Sequence, residues 1–187
     1  MLKKRSKTKM AMLESIDSPA GFLAPLGRAT QQIHVEEAHS CGEFLASKSA
    51  QIICSEPSGE VGIALLTGSL STGGQVKIYT DQTHKGIGRP EGAQIVEAGA
   101  DATKRILSEI GHFWVMPPAF ADLERYLKVW VSSGYRPLVC LSPRDEFLLL
   151  RGFVQEIVAV GCPKAAERLV FARTPEDGWD KLAELLS

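Results

Sequence analysis

Two short segments carry residue types that suit anion binding. Arg28 and Thr30 lie at the start of a run with helical periodicity, and Ser58 and Gly59 lie at the start of another. The first N–H groups of a helix are unpaired, so a cation, hydroxyl or glycine there can help to hold an anion. The same residues also suit a solvated arginine, a capping threonine and a simple turn. The sequence leaves both interpretations open.

A third segment, residues 117–125 (PPAFADLER), brings acids and a base to the start of a further predicted helix. Asp122 and Glu124 there stabilise the positive end of the helix dipole, which is the structural interpretation. The alternative is a divergent acid pair that binds a ribose or a cation, with Glu124 as the candidate catalytic carboxylate. Arg125 suits a solvated helix position or a clamp on a ligand. Pro118 and Ala119 precede these side chains and would line the same loop.

Metal chemistry is not indicated by the pattern of histidines and cysteines. The four cysteines show no CxxC spacing, and His34, His39 and Cys41 are spaced by five and two residues, which does not place them on one face of a helix. Cys54 and Cys140 lie in apolar runs, where cysteine is a small core residue. We expect no metal, no resident cofactor and four reduced thiols.

The elements that must position these residues alternate regularly between short apolar runs and longer helical ones. This alternation predicts βαβ units and a three-layer, Rossmann-like α/β fold, with a parallel sheet of about six strands and helices on both faces. The predicted strands are 21–26, 51–54, 76–79, 112–116, 137–141 and 168–172. The predicted helices are 30–48, 61–70, 93–110, 121–133, 145–160 and 174–186.

Ligands in such sheets bind where the strands end at their carboxyl side, near the point where the strand order reverses. The loops at that edge would be Gly27–Thr30, Ser55–Gly59, Asp81–Gly92 and Pro117–Asp122, with Ser142–Asp145 on the rim. We expect the polar, glycine-rich loop at 81–92 to be mobile.

Size and charge suit a single domain, 19–187, preceded by a basic flexible tail, 1–18. The net charge of −1 calls for neither nucleic acid nor an anionic membrane as a partner. The apolar runs are too short to span a bilayer. We expect a cytoplasmic protein.

Several motifs occur in the order that one known family shows. A segment ending in Gly68–Gly74 precedes a strand at Val76, PPAFADLER follows the 112–116 strand, Arg136-Pro-Leu-Val opens the next strand, and LVFARTPED comes last. In this order and spacing the chain resembles the Lonely-guy and lysine-decarboxylase-like group over nearly its whole length. The resemblance implies the Rossmann-like fold and pairing into a homodimer through helices beside the site. Tyr126, Leu127 and Trp130 would supply that surface.

The active-site motif of that family, PGGxGTxxE, is largely replaced. Its glycines let backbone N–H groups approach a phosphate, and this chain has Pro118, Ala119 and Ala121 at those positions. Asp122 replaces the threonine, and Arg125 stands at the position of the catalytic glutamate. The resemblance therefore implies the fold more strongly than the family's activity, which is cleavage of the N-glycosidic bond of nucleoside 5′-monophosphates.

Three hypotheses follow. The first is a divergent, non-catalytic protein that binds a nucleotide or another small phosphate-containing molecule at the strand ends. The second is an active N-glycosidase with a relocated carboxylate such as Glu124. The third is a homo-oligomeric interaction module without a ligand.

Overall fold

Seven parallel strands form one sheet in the computed structural model, which describes residues 15–23, 32–57, 59–80, 89–117 and 120–187. The strands are β1 (Ala20–Leu23), β2 (Ile52–Ser55), β3 (Val76–Thr80), β4 (Gln94–Glu97), β5 (His112–Val115), β6 (Leu138–Leu141) and β7 (Leu169–Ala172). Their order across the sheet is β4-β3-β2-β1-β5-β6-β7, and every neighbouring pair is parallel.

Helices cover both faces of the sheet. They are α1 (Gln32–Ser47), α2 (Glu60–Ser71), α3 (Ala102–Glu109), α4 (Phe120–Ser132), α5 (Leu148–Phe153), α6 (Ala159–Gly161), α7 (Pro163–Ala166) and α8 (Pro175–Leu186), with a π-helical turn (Val154–Val158) between α5 and α6. Buried residues of α1, α2 and α8 share one core cluster, while those of α3, α4, α5 and α7 share another. Among the described helices, none has the length and apolar character to cross a membrane. The expected three-layer α/β architecture is confirmed.

The predicted helix 93–110 is wrong in its first part. Gln94–Glu97 forms β4, which pairs with β3 from Lys77 to Thr80, and the helix begins only at Ala102. The sequence QIVE places two β-branched residues between polar ones, which suits an edge strand. Gly99, at a φ of +53°, separates this strand from α3.

The last helix begins as its sequence predicts. The hydroxyl of Thr174 accepts a hydrogen bond from the backbone N–H of Asp177 at 3.2 Å, and Pro175 occupies the first helical turn. This cap satisfies one of the N–H groups that the helix start leaves unpaired.

The aromatic residues expected on a pairing surface are core residues instead. Tyr126 and Trp130 are buried between α4 and the sheet, and Trp130 Nε1 donates to the carbonyl of Arg136 at 3.0 Å. Leu127 is partly buried against the same cluster. The prediction that these side chains form an exposed surface is therefore wrong, because the apolar stripe of α4 packs against the sheet.

Cysteine packing follows the sequence prediction. All four cysteines are free thiols, and Cys41, Cys54 and Cys140 are buried while Cys162 is exposed. Burial raises the pKa of Cys41 and of Cys54 to about 12. These thiols stay protonated near neutrality and act as small apolar side chains.

The helices α1 and α2 cross so closely that the backbone of each approaches a glycine of the other. A Cβ atom on Gly42 would lie 2.0 Å from the carbonyl oxygen of Leu65, and one on Gly68 would lie 2.1 Å from that of His39. Both clashes are with backbone, so no side-chain rotation relieves them. Glycine at 42 and 68 therefore permits this crossing.

Replacing Gly42 with alanine tests the crossing. We expect Gly42→Ala to destabilise the protein by about 3 kcal/mol, because the helices must move apart. The matched control is Gly152→Ala, since Gly152 is also helical but has open space around its Cβ position. The control should be neutral or more stable by up to about 1 kcal/mol. Urea denaturation measures both changes, and equal effects would contradict the proposed contact.

A buried histidine gives the fold a pH dependence. His112 is fully buried, and its Nδ1 accepts a hydrogen bond from Trp114 Nε1 at 3.1 Å. Burial lowers the pKa of His112 to about 4, so the folded protein holds a neutral ring. The unfolded chain binds this proton near its ordinary pKa of 6.5. This contribution to stability is complete above pH 6.5 and is lost as the pH falls toward 4.

Replacing His112 with glutamine should remove that dependence. Between pH 7 and pH 4.5 we expect wild type to lose about 1–3 kcal/mol more stability than His112→Gln, since glutamine can accept the same bond but does not titrate. Denaturant titrations at several pH values measure how the free energy of unfolding of each protein changes with pH. If it falls equally in wild type and in His112→Gln, His112 does not cause the loss of stability.

Candidate functional site

The strand order reverses between β1 and β5. These strands are neighbours, with Ala20 paired to His112 and Leu23 to Val115, yet the chain passes from β1 through β2, β3 and β4 before it reaches β5. A crevice forms at such a point in parallel sheets, and it is the usual position of ligands.

Of the ligand-binding residues predicted from sequence, five lie outside the described residues: Arg28, Thr30, Ser58, Pro118 and Ala119. Residues 81–88 of the expected mobile loop also lie outside them. Gly59 is described and occupies the N-cap position of α2 in extended conformation. Its carbonyl accepts from Ile63 N at 3.2 Å, and no side-chain cap covers this helix start within the described chain.

The three predicted residues on α4 have different surroundings. Asp122 is only 2% exposed, and its Oδ1 accepts from Arg125 Nη2 at 3.3 Å. Arg125 also lies over the ring of Tyr126, at 5.2 Å from the ring centre. Glu124 is exposed on another side of the helix. The structure thus joins Asp122 to Arg125 and does not bring Glu124 to them.

A polar cluster ties the end of β2 to the end of β3. Glu56 Oε1 accepts from Arg89 Nε at 2.7 Å, and its Oε2 accepts from the hydroxyl of Thr80 at 3.0 Å. The carboxylate is nearly buried, while the guanidinium is 40% exposed. Arg89 is thereby held at the carboxyl edge with part of its surface open to solvent.

A second polar cluster forms where α1 meets the loop after β6. His34 Nε2 lies 3.3 Å from Glu146 Oε1. The other carboxylate oxygen accepts from the Ser142 hydroxyl at 2.9 Å and from the backbone N–H of Arg144 at 3.0 Å. His34 follows β1 in the chain and Glu146 follows β6, and β5 lies between these two strands in the sheet.

The carboxyl groups of Glu37 and Glu146 differ in proton affinity. Burial raises the pKa of Glu37, and the nearby charge of Glu146 adds to this effect, which His34 and Arg144 only partly oppose. Burial also acts to raise the pKa of Glu146. Hydrogen bonds from the backbone, from Ser142 and from His34 outweigh this effect, and the pKa of Glu146 is lowered. Within the described residues, Glu37 Oε2 is buried and makes no hydrogen bond.

Several cations near this edge already contact carboxylates. The pairs are Arg89–Glu56, Arg125–Asp122, Arg173–Asp145 and, when the ring is protonated, His34–Glu146. An anionic ligand must compete with these carboxylates for the cations. A ligand with hydrogen-bond donors meets acceptors directly, so the described edge suits a molecule that presents hydrogen-bond donors.

Sequence reasoning missed His34, Glu37 and Glu146 as a group. The sequence suggests for His34 only a metal site that its spacing does not support, and the predicted rim loop Ser142–Asp145 ends one residue before Glu146. No spacing in the sequence relates positions that are 112 residues apart. Their only sequence signal is that His34 and Glu37 lie in the predicted helix after the first predicted strand, and Glu146 lies at the start of the predicted helix after the fifth.

The sequence matches no protein-family model, and the search of curated proteins found no match. Solved structures do share its fold. The molybdenum cofactor binding protein from Rippkaea orientalis has a TM-score of 0.67 at 12% identity, covering 92% of this chain and 100% of its own. The Moco carrier protein from Chlamydomonas reinhardtii has a TM-score of 0.62 at 11% identity, covering 90% and 98%.

A third similar structure is the DNA processing protein A from Streptococcus pneumoniae, with a TM-score of 0.54 at 12% identity, covering 90% of this chain and 62% of its own. At these identities the likeness concerns the fold. It confirms the Rossmann-like fold that the family resemblance implies, and membership of the Lonely-guy group stays a prediction.

The ionised carboxylate of Glu37 should destabilise the folded protein at neutral pH. The pKa of Glu37 is raised in the folded state, so the contribution of its protonated carboxyl to stability is fully present below the unfolded pKa near 4.5. That contribution is lost as the pH rises through the folded pKa. We expect Glu37→Gln to raise the Tm by roughly 1–3 °C at pH 7.5 and to have less effect at pH 4. Glu36→Gln, at the exposed neighbouring position, is the control and should raise the Tm less, because the charge of Glu36 is the smallest of the named contributions to the raised pKa of Glu37. A lower Tm for Glu37→Gln at pH 7.5 would mean that the ionised carboxylate is stabilised.

Proposed function

We propose that this protein binds a small phosphate-bearing molecule, of the nucleotide class or a cofactor of similar size, at the carboxyl edge of the sheet without converting it chemically. The observation that carries this proposal is the contact between His34 and Glu146, with the half-buried Glu37 beside it. Polar groups from the segments that follow β1 and β6 meet in this contact, and parallel sheets bind ligands at the ends of such strands.

The donor-bearing part of the ligand would lie against Glu37 and Glu146. Carboxylate oxygens accept hydrogen bonds from hydroxyl, amide and amino groups, and a charged acceptor makes such bonds stronger. Glu146 is already oriented by Ser142 and the backbone of Arg144. Glu37 Oε2 has an acceptor site that the described residues do not use.

The phosphate would lie nearer β2. Gly59 opens α2 there with a helix start that lacks a side-chain cap in the described chain, and Arg89 is held close by through Glu56. Helix starts and arginines are common phosphate ligands. The ends of β2 and β6 are three strand spacings apart, about 14 Å. A nucleotide-sized molecule can span that distance.

The similar structures support small-molecule binding. Two are described as a Moco carrier protein and a molybdenum cofactor binding protein. The absence of a catalytic role is supported by the replaced glycines of PPAFADLER, by Arg125 at the family's glutamate position and by the pairing of Asp122 with Arg125. A cytoplasmic location is part of the same proposal and rests on the four reduced thiols.

A hydrolytic function is the second candidate. Two carboxyl groups whose pKa values are displaced in opposite directions, as in Glu37 and Glu146, are what a general acid and a general base require. The reaction would be cleavage of a nucleoside monophosphate at its N-glycosidic bond. Glu124 remains the carboxylate that the family resemblance proposes for it.

Calorimetric titration with AMP, ADP, NAD, adenosine and molybdenum cofactor tests the binding proposal. We expect one phosphate-bearing compound to bind at least tenfold more tightly than adenosine. Glu37→Ala should weaken that binding roughly 10–100-fold, the loss of one hydrogen bond to a charged group. Glu36→Ala, one position away on the exposed side, should bind as wild type does.

Two outcomes would count against the proposal. Failure of every compound to bind would leave the interaction module as the better hypothesis. Release of free base from AMP, abolished by Glu37→Ala or by Glu124→Gln, would show that the protein is a hydrolase.

A further inference from the structure

A groove follows the outer edge of β7, between α8 and segment 148–161, which consists of α5, the π-helical turn and α6. Its volume is about 580 Å³, and residues 169–171 of the strand lie at its base. A second cavity of about 190 Å³ continues the groove toward Arg173. β7 is the last strand at its side of the sheet, so no other strand of the described chain covers this edge.

The backbone groups of β7 point alternately toward β6 and toward the groove. The carbonyl of Arg168 accepts from Leu138 N at 2.9 Å. The carbonyl of Ala172 accepts from Ser142 N at 2.7 Å. Even-numbered residues of β7 therefore face β6, and Leu169 directs its N–H and C=O groups into the groove.

Side chains of α8 cap the second half of this outer row of backbone groups. Lys181 Nζ donates to the carbonyl of Phe171 at 2.9 Å, and Asp177 Oδ2 accepts from the N–H of Arg173 at 3.3 Å. Within the described residues, no hydrogen bond reaches the N–H or C=O of Leu169 or the N–H of Phe171. Leu169 is nonetheless only 7% exposed. Buried backbone groups are almost always paired, so these three groups indicate that the groove holds an occupant.

We propose that the groove binds the carboxyl-terminal segment of a partner protein, which adds an eighth strand parallel to β7. Strand addition takes its affinity from main-chain hydrogen bonds and its specificity from alternate side chains. The N–H of Leu169 would donate to the carbonyl of one peptide residue. The carbonyl of Leu169 and the N–H of Phe171 would both bond to the peptide residue two positions further on. This inference does not depend on the proposed function.

The cations at one end of the groove determine where the peptide ends. Arg151 and Lys181 line both the groove and its continuation. Since Lys181 occupies the carbonyl of Phe171, an added strand finds no further backbone acceptor there. The exposed Arg151 forms no salt bridge within the described residues, and Lys181 uses two of its three donors, for Phe171 and Asp177. A terminal carboxylate would therefore bind to Arg151 and Lys181.

Two acids at the other end favour the parallel direction. Glu167 and Glu184 line the groove but not its continuation, and neither forms a salt bridge in the part of the chain that the structure describes. They suit a basic side chain near the start of the bound segment. The acids near the carboxylate end, Asp145 and Asp177, are already paired with Arg173 and with a lysine.

The walls of the groove are apolar on both sides of the strand. Val154 and Ala159 line it from segment 148–161, and Leu185 lines it from α8. Side chains of an added strand alternate between these two walls, so apolar residues suit successive positions. The four residues of β7 span about 13 Å, which five peptide residues cover. A segment ending in KVVLV, with a free carboxylate, has the required charge and apolar character.

Fluorescence polarisation with a labelled SGKVVLV peptide and the full chain tests the backbone pairing. We expect saturable binding in the micromolar range. N-methylation of the leucine removes the N–H that would donate to the carbonyl of Leu169, and should weaken binding roughly tenfold or more. N-methylation of the valine before it is the matched control, because that N–H would point away from β7. Equal losses in the two peptides, or no binding to wild type, would overturn the proposal.

Charge variants test the ends of the bound peptide. Arg151→Gln should weaken binding of the acid peptide about tenfold and leave its carboxamide unaffected. Arg105→Gln is the control, since Arg105 is exposed on α3, outside the groove. Glu184→Lys should weaken SGKVVLV and strengthen SGEVVLV relative to wild type. Circular dichroism should be unchanged in all three variants.

The remaining outcomes would contradict specific parts of the proposal. Equal binding of acid and carboxamide peptides would overturn the recognition of a terminal carboxylate. A Glu184→Lys variant that does not prefer SGEVVLV would overturn the parallel direction. Binding of octanoate, lost in Arg151→Gln, together with failure of the peptide to bind, would assign the groove to a small carboxylic acid instead.

Discussion

The common direction of the seven strands is the constraint on which the arrangement of polar groups depends. Because every strand is parallel to its neighbours, all the carboxyl ends lie on one edge, and each helical crossover returns to the opposite edge. The strand order reverses between β1 and β5. His34, which follows β1, and Glu146, which follows β6, are in contact although 112 positions separate them.

The packing of α1 against α2 determines where the polar residues of α1 lie. The α1–α2 crossing at Gly42 and Gly68 brings two backbones into direct contact, which fixes the position of α1 more tightly than side-chain packing alone. Glu37 and His34 lie in the first turns of that helix and are positioned by it. The desolvation that raises the pKa of Glu37 therefore has its origin in the fold, since the exposed Glu36 beside it has different surroundings.

The regular elements were largely predictable because their patterns are local. Apolar runs of four to six residues predicted six of the seven strands, and Thr174-Pro175 predicted the start of α8. β4 was missed because QIVE runs directly into a helical pattern, and only its pairing with β3 makes it a strand. The burial of Tyr126 and Trp130 against the sheet could not be predicted either. The sequence of an amphipathic helix does not reveal whether its apolar side contacts the sheet or a second copy of the chain.

The sequence by itself determined the fold class and the absence of the glycines that the Lonely-guy motif carries, and it predicted the edge at which a ligand would bind. Each of these follows from residues that are adjacent in the chain. Tertiary structure decided which polar groups face one another. It paired Asp122 with Arg125, separated Glu124 from them and joined His34 to Glu146. It also left the outer edge of β7 open between α8 and segment 148–161. The physical reason is that burial and hydrogen bonding depend on through-space neighbours, and these are set by strand order.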